Sequence, residues 1–123
     1  MGRRESRLAF PGGEWALQLN RQQALAELGV PGELYDELLH EFLDNAETAL
    51  ERLAAAIRED HLDQVPAIAH MLKGSAASLR LEEMRTIARD LEIAGRTRKG
   101  KKGTGKLIAD LGAAVREFKA LIS

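Results

Sequence analysis

The segment Ala69-His70-Met71-Leu72-Lys73-Gly74-Ser75-Ala76 sets an imidazole, an ammonium and a residue without a side chain at i, i+3 and i+4. Residues three and four apart are neighbours on a helix surface, so a helix here stacks all three on one face. An imidazole, neutral near pH 7, is a nucleophile, and an ammonium one turn away offsets the charge of an anion bonded to it. A phosphoryl group is the anion best suited to that pair. Glycine inside a helix costs about 1 kcal/mol relative to alanine, so Gly74 gives up stability to leave bare backbone beside the ring. That opening admits another molecule at close range.

Competing chemistries lack their residues. No Ser/His/Asp set lies near His70 for acyl transfer, and neither His40 nor His61 falls at metal-ligand spacing from it. Transfer rather than hydrolysis is expected, with no metal and no cofactor. The chain has no cysteine, which excludes disulfide scaffolding, thiol catalysis and the commonest structural zinc sites. Its 18 basic and 19 acidic residues leave a net charge of −1, so no global field draws it to nucleic acid or an anionic membrane. No apolar run reaches the roughly 20 residues that span a bilayer, and Met1 to Ser6 lacks the apolar core of a signal peptide. A cytoplasmic protein is expected, with neither membrane nor nucleic acid as partner. The start also fits the loose N-myristoylation pattern, which is too short to outweigh a flexible arm.

The elements that hold the site follow from periodicity. Residues 1–14, with Pro11-Gly12-Gly13, read as a flexible leader, and Trp15, Leu17 and Leu19 as the start of the ordered domain, 15–123. A short helix over Arg21 to Leu28 ends at Gly29, with Pro31 beside the next start. A long helix follows on the stripe Leu34, Leu38, Phe42, Ala46, Ala49, Leu50, Leu53 and Ile57. Asp60 to Asp63 supply a turn and an N-cap, and Pro66 falls early in the site helix, whose buried stripe is Leu62, Val65, Ala69, Leu72, Ala76 and Leu79. This leaves His70, Lys73, Gly74 and Ala77 on a more exposed face. Arg80 to Glu83 connects to a helix on Leu81, Met84, Ile87, Ala88 and Leu91 that ends near Gly95. Arg96 to Lys106, rich in glycine and lysine, reads as a mobile basic loop, and a last helix carries Leu107, Leu111, Val115, Phe118 and Leu121. The pattern specifies an all-α fold: an antiparallel up-down-up-down four-helix bundle with a short N-terminal helix, in one domain of 123 residues.

The His70-x-x-Lys73-Gly74-Ser75 core followed by small residues resembles the histidine phosphotransfer (HPt) domains of two-component phosphorelays. The likeness extends over residues 17–122, through Phe42-Leu43-Asp44 and Ala49-Leu50-Glu51-Arg52-Leu53 before the site and Asp90-Leu91-Glu92 after it. It implies that His70 accepts a phosphoryl group on Nε2 from a receiver-domain aspartyl phosphate and passes it to another receiver. It implies further that Lys73 stands beside the phosphoryl group and that Gly74 leaves room for the partner. Ser75 has a lesser part, and the partner surface includes Ala67, Met71 and Ala77. Glu92, 22 positions after His70, matches an acid or amide that bonds ring Nδ1 and fixes the tautomer. The implied partners are receiver domains of response regulators or hybrid histidine kinases, met by a monomer. The implied role is a phosphotransfer intermediate with no kinase activity or ATP site of its own, rather than an enzyme. One departure stands out: Arg80 occupies a place where the family has glycine, which alters the turn after the site helix or adds a cation near the docking face.

Two other readings attach to the basic segment. Gly100-Lys-Lys-Gly-Thr-Gly105-Lys106 reproduces Gly-x4-Gly-Lys of a nucleotide-binding loop, but Leu107 replaces the magnesium-binding hydroxyl and no strand precedes it. Alternatively the protein is a binding module. In one form Arg96, Arg98, Lys99, Lys101, Lys102 and Lys106 contact nucleic acid or an acidic protein while the bundle serves as scaffold. In another, a pseudo-phosphotransfer domain docks receivers without accepting phosphate. Aromatic residues are not interleaved with the cations, which argues against single-strand stacking.

Overall fold

The computed structural model describes residues 13–97 and 100–122. They form five helices: α1 (Gly13–Leu28), α2 (Gly32–Arg58), α3 (Val65–Ser78), α4 (Glu82–Arg96) and α5 (Gly100–Ile122), with a 3-10 turn at Leu62–Gln64 leading into α3. There is no strand among the described residues. Helix α2 packs on α3, α3 on α4, α4 on α5 and α5 back on α2, so four helices close a ring in chain order, with α1 against α5. This is the expected all-α bundle with a helix in front of it. No helix among the described residues is long and apolar enough to cross a membrane.

At the amino end the first helix starts earlier than expected. Residues 1–12 of the expected leader lie outside the described residues, while Gly13 and Glu14 are already helical. Trp15, Leu17 and Leu19, expected to begin the ordered part, lie within this helix. Helix α1 stops at Gly29, whose φ of +67° suits a residue without Cβ. Arg21 then ties it to α2 through Asp36, at 3.0 Å.

The core is built from leucines and alanines on the inner faces, with Phe42 and Phe118 meeting edge to face at 5.7 Å. Most of the expected stripes are buried, including Phe42, Ala46, Leu53, Val65, Ala69, Leu72 and Ala76. In α2 the register differs at its start: Leu34 faces solvent and Tyr35 is fully buried. The physical reason is a partner for the phenol, whose hydroxyl donates to the Leu79 carbonyl at the end of α3. In α3, Ile68 joins the stripe and Leu62 leaves it, because Leu62 belongs to the 3-10 turn. The expected N-cap from Asp60 to Asp63 does not form, since Gln64 precedes α3 without a side-chain cap bond. Asp60 instead closes α2 at φ 58°, with His61 N–H donating to the Ala56 carbonyl at 2.7 Å.

The structure corrects the segment 96–106, expected as a mobile loop. Helix α4 runs through Arg96, and α5 begins at Gly100, where φ is +95°; residues 98 and 99 lie outside the described residues. Thr104 is buried and supplies the inward contact that the missing apolar period did not announce. Lys101 pairs with Asp60 at 3.0 Å and Lys106 with Asp110 at 3.3 Å. Tertiary packing here overrides the poor helix propensity of three glycines. The Gly-x4-Gly-Lys stretch therefore lies along a helix, where its backbone N–H groups past the first turn are committed to helix bonds.

The helix ends one residue after Gly95, near the expected stop, and Gly95 also serves packing. A Cβ there would come within 2.9 Å of the Pro66 ring, so the glycine lets the end of α4 close on the first turn of α3. That contact sets the register of the two helices carrying the site.

Candidate functional site

Helix α3 presents His70 outward, with 63% of its side chain exposed, while Glu92 on α4 lies beneath it with 6% exposed. The ring Nδ1 stands 2.9 Å from Glu92 Oε2. Lys73 Nζ reaches Glu92 Oε1 at 2.8 Å, and an Arg96 terminal nitrogen reaches Oε2 at 2.7 Å. Three donors therefore converge on one buried carboxylate. The hydrogen bond from Lys73 holds the Glu92 carboxyl below the ordinary carboxylate range; burial opposes this, and His70 and Arg96 assist Lys73.

An ionised carboxylate has no proton to give, so the proton of the His70–Glu92 bond sits on Nδ1. In the neutral ring the other nitrogen, Nε2, then carries a lone pair. Fixing Nδ1 from below and exposing the ring above makes Nε2 a directed nucleophile. Lys73, with 31% of its side chain exposed, is one turn along the same face. Among the described residues, nothing beyond the helix's own nearby backbone comes within 4 Å of a Cβ built on Gly74. Its bare backbone therefore answers no internal packing demand.

The residues expected to meet a partner share this helix. Ala67, Met71, Gly74 and Ser75 are exposed and Ala77 is half-buried. Met71, 64% exposed, overlooks a groove of ≈ 280 Å³ between α2 and α3 that Asn45, Thr48, Arg52 and Ser75 also line. Such an exposed apolar residue beside a nucleophile suits contact with another protein.

A scan of protein-family models matches the Hpt domain over residues 37–121. The chain belongs to the Hpt family. No curated protein and no solved structure matches it. Hpt domains are phosphotransfer modules of two-component signalling, and the helical bundle with an outward histidine accords with that membership.

At Arg80, where glycine was expected, the Hpt domain keeps a glycine-like turn. Arg80 adopts φ 63°, and the Leu81 and Arg80 N–H groups donate to Ala76 and Ala77 carbonyls at 2.9 and 3.1 Å. Its guanidinium bends back onto the Ala77 and Ser78 carbonyls and reaches Glu27 of α1 at 2.6 Å. The turn is thus unaltered and its cation is spent on closing the helix end. Sequence reasoning placed Arg96 in the basic loop and missed it at this site. Its i, i+4 spacing from Glu92 was the available signal.

Proposed function

We propose that His70 is the phosphoryl acceptor of a multistep phosphorelay, taking the group from the aspartyl phosphate of one receiver domain and delivering it to another. The observation that carries this reading is the pairing of an exposed ring with a buried, ionised Glu92 at its Nδ1, 2.9 Å away. In the forward step Nε2 attacks phosphorus in line. The P–Nε2 bond forms, the acyl P–O bond breaks and the aspartate leaves as carboxylate. Nδ1 keeps its proton, shared with Glu92, so the ring needs no base; the ring becomes an imidazolium as its Nε2 lone pair forms the bond, and the Glu92 carboxylate offsets that charge. Lys73 offsets charge on the phosphoryl oxygens, and positioning by the two docked surfaces supplies much of the rest. The reverse step uses the same contacts, so direction follows the phosphorylated fractions of the partners.

The partner surface in this reading is Ala67, Met71, Gly74, Ser75 and Ala77 with the adjoining α2–α3 groove. The protein acts as a cytoplasmic monomer, brings no cofactor of its own and has no kinase activity. The basic-scaffold alternative draws less support, since Arg96, Lys101 and Lys106 are each paired with an acid. The deciding experiment incubates the protein with a phosphorylated receiver and follows an acid-labile, base-stable label. His70→Gln should abolish the label with folding intact; a retained label overturns the assignment. Receiver binding without any labelling of the parent protein would favour the pseudo-phosphotransfer form.

A further inference from the structure

The salt-bridge geometry around Glu92 contains one more cation than the resting site requires. Lys73 holds Oε1 at 2.8 Å, whereas Arg96 shares Oε2 with the imidazole at 2.7 Å. The two cations reach the carboxylate from opposite directions. Lys73 lies one turn toward the end of α3, and Arg96 follows Gly95, which abuts Pro66 at the start of α3. Arg96 is itself 64% exposed along its side chain, so its position reflects the carboxylate rather than burial.

Phosphorylation changes the demands on this cluster. A phosphoryl group brings a charge of about −1.5 to −2 at neutral pH and three strong acceptors. Lys73, one turn from the ring, is then drawn away from Glu92 toward the new oxygens. A buried carboxylate that loses its partner is strongly disfavoured and takes up a proton or moves. Either response would release Nδ1 and free the ring to rotate. A guanidinium already bonded to Oε2, permanently charged and rich in donors, prevents both.

We propose that Arg96 is a positioning residue of the phosphotransfer site: it holds the charge of Glu92 while Lys73 turns to the phosphoryl group, so that the imidazole keeps its orientation in the phosphorylated state. This rests on the assignment of His70 as acceptor. The resting cluster, with one carboxylate against Lys73 and Arg96, carries a net positive charge that also favours arrival of the phosphoryl anion.

The test separates the two assignments. Lys73→Gln imitates the departure of Lys73 without any phosphate, and nitrogen-15 NMR of the His70 ring reads which nitrogen carries the proton. Lys73→Gln and Arg96→Gln should each shift the ratio of the two tautomers by less than about twofold, whereas the double variant should lower it about tenfold, a coupling usual for groups sharing one partner. Arg96→Lys in the Lys73→Gln background should restore most of the loss, which a packing role would not predict. Collapse of the ratio in Lys73→Gln alone, or its persistence in the double variant, overturns the proposal.

A second measurement guards against misfolding of the double variant. Phosphoramidate, a small donor that releases ammonia as the P–Nε2 bond forms, is used to phosphorylate parent and Arg96→Gln. The Nδ1–H signal should persist in the phosphorylated parent and fade in Arg96→Gln; persistence in both refutes the role. Failure of phosphoramidate and receivers alike to label His70 would remove the acceptor assignment and this proposal with it. The tautomer ratios would still report separately whether Arg96 holds Glu92.

Discussion

Replacing Gly74 with alanine should make the protein more stable and a poorer phosphotransfer partner at once. Among the described residues a Cβ at Gly74 meets nothing within 4 Å beyond its own helix's backbone, so no overpacking there opposes the gain in helix propensity. That gain is about 0.5–1 kcal/mol for glycine to alanine in a helix interior, or about 4 °C in Tm for a domain of this size. The same methyl lies on the face that carries His70 and would project into a docked receiver. A methyl forced into a close-packed contact costs about 1–3 kcal/mol, which corresponds to a loss of about fivefold to 150-fold in transfer rate. Urea or thermal unfolding measures the first effect, and rapid-quench transfer from a phosphorylated receiver the second. Phosphorylation by phosphoramidate serves as control, since so small a donor needs no docking surface and should react at the parental rate. A destabilised Gly74→Ala would show that the glycine serves the fold. Unchanged transfer from the receiver would show that the opening admits no partner.

Three further outcomes follow from the same geometry. Tyr35→Phe leaves the Leu79 carbonyl without its buried donor and should lower stability by about 1–3 kcal/mol in urea unfolding; a neutral effect would show that the carbonyl finds another partner. Gly95→Ala drives a methyl to within 2.9 Å of the rigid Pro66 ring, and an overpacking penalty of about 1–3 kcal/mol should outweigh a helix gain of about 1 kcal/mol. A lower Tm together with slower labelling of His70 is expected, and a raised Tm would contradict the close approach. Glu92 in the folded protein stays ionised below its ordinary value of 4.5, chiefly through Lys73, so the unfolded chain binds its proton first as pH falls. The stabilisation from Glu92 is therefore present above about pH 4.5 and lost as pH drops through the lower folded value. The stability gap between parent and Glu92→Gln should be widest near pH 7 and close on acidification; a gap that widens in acid would reverse the sign.

The fold and the triad of His70, Lys73 and Gly74 were legible in the sequence because helical spacing alone puts them on one face. Glu92 was legible only through family resemblance, as a solvated glutamate and a buried one look alike in a single chain. What escaped was tertiary. Tyr35 was overlooked because an apolar stripe gives no sign of a phenol that pairs with a distant carbonyl. The helix over Gly100 to Lys106 was read as a loop because its buried contact is a threonine. Gly95 was legible as lying near a helix end, but its close packing on a proline of another helix was not.

The arrangement of exposure across the His70–Glu92 pair has a functional logic of its own. In the proposed relay role, His70 would have to be held firmly enough to be aimed and loosely enough to give the group up to more than one partner. The bundle meets the first demand from below, where Glu92, 6% exposed, fixes Nδ1 and is in turn fixed by two cations. It meets the second from above, where the ring is 63% exposed and its neighbour Gly74 carries no side chain. Specificity for one receiver over another must then come from the rim rather than the reacting atoms, which are common to every transfer. Met71 and the groove reaching Thr48 and Arg52 are the nearest such features. Substitutions there should change the ranking of receivers while leaving phosphorylation by phosphoramidate unaltered. Substitutions at Glu92 should slow every donor alike, because they act on the ring that all donors share.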